Sequence, residues 1–264
     1  MKTLLTFLKN NKKKSILFFL IFLFTFWQMI LTPSHNRNWR DENAKISEII
    51  FDKNSDEITV INFRDFYSSK NTDDFIVQNW TTETFDMNEL ESVDFILSHF
   101  HSLHGLAHSF LVFNFKDGKN LAISVETRLE KKVEYSPFSG LFNQYEIIYI
   151  VGSTRDLIDS RTGYRHEEVY LYKTVADKKV SRMIFESFAK EINNLNKAPQ
   201  FYNTAFNNCM TSIVPHIEDA TGEKIWWTWK FLLPGFADKK AFNLGFLANP
   251  KNLPFEKLQA ESKL

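Results

Sequence analysis

Cys209, the single cysteine of the chain, has the most chemistry to offer. It follows Asn207-Asn208 and opens CMTSIVPHIEDATG, where Met210 to Ala220 has helical character and Gly222 is placed to end the helix. Asparagine is a strong N-cap. A thiol in the first turn feels the partial positive charge of the helix N-terminus, which lowers its pKa and favours thiolate. Pro215 fits that helix poorly, since proline is tolerated only near the first turn or with a kink. The plain alternative is a small buried core residue. A thiol nucleophile needs a base. His108 stands near the start of the strand-like run AHSFLVFNF (107–115), and a second such run, NLAISVETR (120–128), follows. If Lys116-Asp117-Gly118 is a three-residue hairpin loop with Gly118 left-handed, Phe115 faces Lys119 and His108 faces Glu126. Cross-strand Cβ atoms lie ~5 Å apart. Glu126 could then hold the far N–H of the imidazole and fix its tautomer. A register changed by one residue would favour Thr127. The alternative is a half-exposed strand histidine beside a surface glutamate.

The other histidines offer less. His99, His101 and His104 lie in SHFHSLHG, but a zinc-hydrolase pattern H-x-H-x-D-H needs an aspartate where Leu103 stands. A solvated His-rich turn is the reading there, and no metal or cofactor is expected. His216 points to a different face of its helix from Cys209 and reads as structural.

The elements that must position these residues follow from periodicity. ITVINFRDF (58–66), YEIIYIVGS (145–153) and EEVYLYKT (167–174) read as strands, whereas SRMIFESFAKEINNLN (181–196) has helical spacing. SVDFILSHF (92–100) is open to either state. Trp80 to Leu90 is less regular, with an Asp-Met-Asn-Glu run that could start a helix. The order of strands, helix, loop and helix indicates an α+β fold with a mostly antiparallel sheet.

Lys+Arg and Asp+Glu both number 32, so no basic surplus points to nucleic acid. Lys2, Lys9, Lys12, Lys13 and Lys14 precede any acid, and the remaining 27 bases face 32 acids. After this basic start (1–14) comes SILFFLIFLFTFWQMILT (15–32), 18 uncharged residues, close to the ~20 that span a bilayer. Flanking lysines keep the N-terminus cytoplasmic, so residues 33–264 are expected on the outer side. A cleavable signal peptide is the alternative, but TFWQMILTPSHN lacks an A-x-A cleavage pattern. Trp226, Trp227 and Trp229 suit either a core or lipid headgroups.

A family resemblance emerges from longer stretches. AHSFLVFNFKDGKNLAISVETR, YSPFSGLFNQYEIIYIVGSTRDLIDSRT, VYLYKT and FYNTAFNNCMTSIVPHI resemble the N-terminal periplasmic domain of Lnb-type bacterial lipoprotein N-acyltransferases. NWRDENAKI, VINFRDF, W-x4-F-D-M-x2-L-x3-D and LLPGFADKKAFNLGFL extend the resemblance over roughly residues 38–248. That family is similar to the permuted NlpC/P60 and lecithin:retinol acyltransferase group of papain-like thiol enzymes, in which the histidine precedes the cysteine. The resemblance implies Cys209 as nucleophile, His108 as base and Glu126 as third member, with Ser124 the weaker choice. It implies an acyl-Cys209 thioester made from a phospholipid donor and passed to an amine such as a lipoprotein N-terminus. Backbone N–H groups at Cys209 and the following turn would stabilise the oxyanion. The implied place is the periplasmic side of a bacterial inner membrane. Here the apolar helix precedes the domain, whereas the acyltransferases it resembles carry membrane helices after it. Two other classes stay open: a Cys–His hydrolase of cell-wall amides or lipid esters, and a non-enzymatic tethered binding domain.

Overall fold

The structure is a computed structural model that describes residues 12–68, 76–100, 105–163, 165–226 and 233–264. Its centre is a sheet built from β1 (Glu48–Phe51), β2 (Glu57–Arg64), β5 (Trp80–Asp86), β6 (Leu90–His99), β7 (Ala107–Phe115), β8 (Asn120–Arg128), β9 (Tyr145–Gly152), β10 (Glu168–Lys173) and β11 (Phe201–Tyr202). The order is β1-β2-β9-β8-β7-β6-β10, with β5 on β2 and β11 on β9. A two-stranded ribbon, β3 (Tyr67–Ser68) with β4 (Ile76–Val77), stands apart. Among the described residues every pairing is antiparallel except the short parallel junction of β2 and β9 at Arg64 and Gly152. The fold is thus α+β, with the mostly antiparallel sheet expected from the order of elements.

The strands β7 and β8 begin and end where alternation and the Asp-Gly loop predict. Gly118 takes φ 85°, and the Phe115 amide donates to the Lys119 carbonyl at 3.0 Å. Residues 92–100, open between states, extend β6, which pairs β7 from Leu90 to His99. The Trp80 stretch is a strand, not a helix start. Asp86 turns the chain, its carboxylate accepting from the Asn88 amide at 2.8 Å and its carbonyl from the Glu89 amide at 3.0 Å. An aspartate that bonds its own backbone two residues on favours a turn.

One face of the sheet carries the main core. Against it lie α4 (Lys178–Lys197) and α5 (Cys209–Thr221). Asp177 caps α4 by accepting from the Val180 amide, and Ile184, Phe185, Phe188, Ile192 and Leu195 bury its apolar stripe. The Phe185 and Phe113 rings meet edge-on at 5.2 Å. Truncating such a fully buried phenylalanine costs ~3–5 kcal/mol. The opposite face buries a smaller cluster of Ile96, Phe110, Val112, Ile148, Ile150 and Val169 under Leu157. Leu157 belongs to a π-turn (Arg155–Asp159) that runs into α3 (Ser160–Thr162). β9 is buried on both faces along its whole length. This explains its near-continuous apolar run.

At the N-terminus α1 (Lys12–Ile30) includes Lys13–Ile30, long and apolar enough to cross a membrane. Its apolar side chains are exposed.

Gly152 is where β9 meets β2. A Cβ there would sit 2.4 Å from the Arg64 carbonyl oxygen and 2.9 Å from a Leu157 methyl. Backbone cannot yield cheaply, so Gly152→Ala is expected to cost ~1–3 kcal/mol, as overpacking does. Urea unfolding of the detergent-solubilised chain reads this; an unchanged midpoint would show that the junction relaxes freely.

Candidate active site

Cys209 is the first residue of α5, and Asn208 is its N-cap, as its type predicts. The Asn208 side-chain oxygen accepts from the Met210 and Thr211 amides at 2.8 and 2.9 Å, while the Thr211 hydroxyl accepts from the Asn208 amide. Three backbone donors are thereby satisfied, those of Asn208 and Thr211 reciprocally. Pro215 stays inside the helix on its exposed face. Water can therefore take the carbonyl that the ring leaves unpaired.

The thiol itself is 5% exposed. Burial pushes it up from the ordinary cysteine range, against opposing pulls from the Ser109 amide and hydroxyl and from Arg161. The thiolate expected from the helix N-terminus is therefore not the resting form. Desolvation of a buried charge outweighs the field of one helix end.

His108 lies on β7 with its imidazole against the Phe110 ring, centroids 5.9 Å apart. Its Nε2 is 2.6 Å from the Ser124 hydroxyl, and that hydroxyl donates to Glu126 Oε1 at 2.9 Å. The direct Nε2 to Oε1 distance is 3.9 Å. Glu126 thus reaches the histidine through Ser124. Register explains the difference. Phe110 pairs Ser124, as the three-residue loop requires, but the β7–β8 ladder stops there. Beyond it β7 follows β6 and β8 follows β9, so His108 and Glu126 are not paired across the two strands.

Sequence reasoning missed Arg161, which is 3% exposed. Its Nη2 lies 3.1 Å from Glu126 Oε1 and its Nη1 3.3 Å from Glu167 Oε2. Burial works against the Glu126 carboxylate, but Arg161 holds it well below the usual range. An ionised carboxylate only accepts. The Ser124 proton therefore points to Glu126, and its oxygen accepts from His108 Nε2–H. In the neutral ring this leaves the lone pair on Nδ1. Burial, aided by Arg161, pushes His108 down to about 3 despite Glu126. The neutral imidazole is the resting form.

Alternation along β7 sends Ala107, Ser109 and Leu111 towards α5, where Ser109 Oγ lies 3.7 Å from Met210 Sδ. His108, Phe110 and Val112 go to the other face. Cys209 and His108 thus approach from opposite faces and are not hydrogen-bonded to each other. Both nevertheless border one cavity of about 520 Å³. Ala107, His108, Val125, Glu126 and Thr127, from the stretches where β7 and β8 part, line it together with Cys209 and Arg161. A second cavity of about 560 Å³, mostly apolar, lies behind α5 and is lined by Met210, Ile213 and Ile217.

The remaining candidates sit elsewhere. His99 is buried with its ring edge-on to Tyr170. His101 and His104 lie outside the described residues. His216 Nδ1 is 2.8 Å from the Ser187 hydroxyl, and its ring packs on Phe188. Trp226 is 82% exposed, and Trp227 and Trp229 lie outside the described residues.

Two pH dependences follow. The free thiol should alkylate slowly at neutral pH, with a rate rising about tenfold per unit towards a pKa above the ordinary value. A plateau across neutral pH in chloroacetamide kinetics would instead reveal a thiolate–imidazolium pair. An unfolded chain protonates His108 below ~6.5, whereas the folded one refuses the proton until about 3. The stability linked to His108 is thus whole above pH 6.5 and is lost as pH falls towards 3, by up to ~1.4 kcal/mol per unit. His108→Asn should flatten that part of the acid unfolding curve; an unchanged slope would place the acid sensitivity elsewhere.

No curated protein and no solved structure matches the chain. A family model described as the Lnb N-terminal periplasmic domain matches residues 77–235, more than half of the sequence and inclusive of His108, Ser124, Glu126, Arg161 and Cys209. The chain belongs to the Lnb N-terminal periplasmic domain family.

Proposed function

We propose that this protein is a membrane-anchored thiol acyltransferase that moves a fatty acyl chain from phospholipid through Cys209 to an amine, such as a lipoprotein N-terminus. The observation that carries the reading is the shared cavity. It brings a cysteine at a helix start and an oriented, neutral histidine to one space. A helix-borne thiol packed on a histidine-bearing strand also suits kinship with papain-like enzymes.

In the first step His108 Nδ1 takes the Cys209 proton as Sγ bonds to the ester carbonyl carbon. The ester C–O bond breaks, and the proton passes to the departing lysophospholipid oxygen. In the second step the amine attacks the thioester, His108 takes its proton, and the C–S bond breaks to restore the thiol. The transient imidazolium is favoured by Glu126 through Ser124. For the oxyanion, the amides of Met210 and Thr211 are already committed to Asn208. The Cys209 amide donates to no group among the described residues, and it is the donor assigned to the oxyanion. The family's periplasmic location and the span Lys13–Ile30 support a single-pass anchor in the bacterial inner membrane, with the basic N-terminus inside.

Intact-mass spectrometry of the chain after incubation with phospholipid tests the proposal. A fatty-acyl adduct released by neutral hydroxylamine is expected, absent from Cys209→Ala and formed ~10²–10⁴ times more slowly in His108→Ala. Ser124→Ala should lose less, because only the ring's anchor goes. Lysophospholipid and free fatty acid without transfer to any amine would turn the reading to a lipid hydrolase. An unreactive Cys209 with every lipid would turn it to a binding domain.

A further inference from the structure

The outer end of α1 is not free of the sheet domain. Gln28 Nε2 donates to the Phe142 carbonyl at 3.2 Å, and Asn143 Nδ2 donates to Gln28 Oε1 at 3.1 Å. The Phe24 ring meets Phe142 edge-on at 5.4 Å, and Phe142 meets Phe138 at 5.0 Å. A run of aromatic contact therefore leads from the apolar helix into the loop that begins with α2 (Pro137–Gly140).

That loop is tied to a second one. The Thr204 hydroxyl donates to the Pro137 carbonyl at 2.8 Å and its amide to the Gly140 carbonyl at 3.1 Å. The approach is so close that a Cβ at Gly140 would lie 2.3 Å from Thr204 Oγ1. Together the loops leave Phe138 70%, Leu141 41% and Phe206 76% exposed. Such residues seldom lie bare together on a soluble surface.

Depth supplies the occupant. Phe24 lies six residues before the end of α1, so at ~1.5 Å per residue Phe142 meets it ~9 Å along the axis below that end. If the helix spans the bilayer, the loop sits within the ~5–10 Å to which interfacial segments sink. We propose that Phe138, Leu141 and Phe206 insert into the outer headgroup and acyl boundary of the same bilayer that holds α1. Tyr135, Pro137 and Thr204 of these loops also line the Cys209 cavity. The inserted surface thus sets the mouth of that cavity against the lipid. The inference rests on the reading of Lys13–Ile30 as the anchor.

The test uses the full chain in phosphatidylethanolamine–phosphatidylglycerol vesicles, carrying Cys209→Ser so that one introduced thiol takes an environment-sensitive fluorophore. Phe138→Cys, Leu141→Cys and Phe206→Cys report the loops, Phe22→Cys reports the helix, and Lys116→Cys reports the far hairpin loop. With quenchers on the lipid chains, the loop labels should lose emission as Phe22 does, with Lys116 unaffected. A quenched Phe22 beside unquenched loop labels overturns the surface while leaving the anchor. Loop labels that are blue-shifted but unquenched reveal a protein partner and also overturn it. An unquenched Phe22 removes the anchor and the surface together.

Discussion

The carboxylate of Glu126 can only accept hydrogen bonds, and Arg161 keeps it in that state. From this one constraint the orientation of the polar site follows. The Ser124 hydroxyl has a single proton and gives it to Glu126. Its oxygen must then receive one from His108 Nε2. Arg161 is in turn held by Glu167, which also accepts from Ser98 Oγ at 2.5 Å. The turn that covers the smaller face of the sheet is thereby locked to the strands beneath it. Charge set at one carboxylate is passed on as proton position at a ring nitrogen two groups away.

The second organising element is the place where pairing ends. Ladders of nine and seven residue pairs on the outer sides hold β7 to β6 and β8 to β9, while β7 and β8 themselves part after Phe110 and Ser124. The gap gives the space that a closed sheet would fill with backbone hydrogen bonds. Side chains on opposite faces of β7 can border it together, which alternation would otherwise forbid. The helix start at Asn208 and the loops at Tyr135 and Thr204 complete its wall.

Much of this was legible in the chain. The loop end of the hairpin 107–128 could be placed, because the Asp-Gly loop sets the register that Phe110 and Ser124 keep, but the facing of His108 and Glu126 could not, because the strands part before reaching it. Asn208 as cap and Gly222 as helix stop follow from residue type alone, and Gly222 takes φ 74°. Three features were not. Trp80–Asp86 (WTTETFD) carries three threonines, one glutamate and one aspartate on a half-exposed edge, so its polar composition hides a strand. Arg161 sits just after a π-turn, which has no sequence period to betray which side chains it aims inward. The relay through Ser124 and the neutral thiol depend on where strands part and on how much protein surrounds an atom, and no local pattern encodes either.

The buried thiol has a consequence for survival as well as for reaction. Oxidation by peroxides and exchange with disulfides both require thiolate and access. Outside the cytoplasm thiols are driven towards disulfides, and this chain has no second cysteine to cap the first. A sulfur kept protonated and walled in is chemically quiet towards both. The packing that holds the proton on Cys209 is also what shelters it.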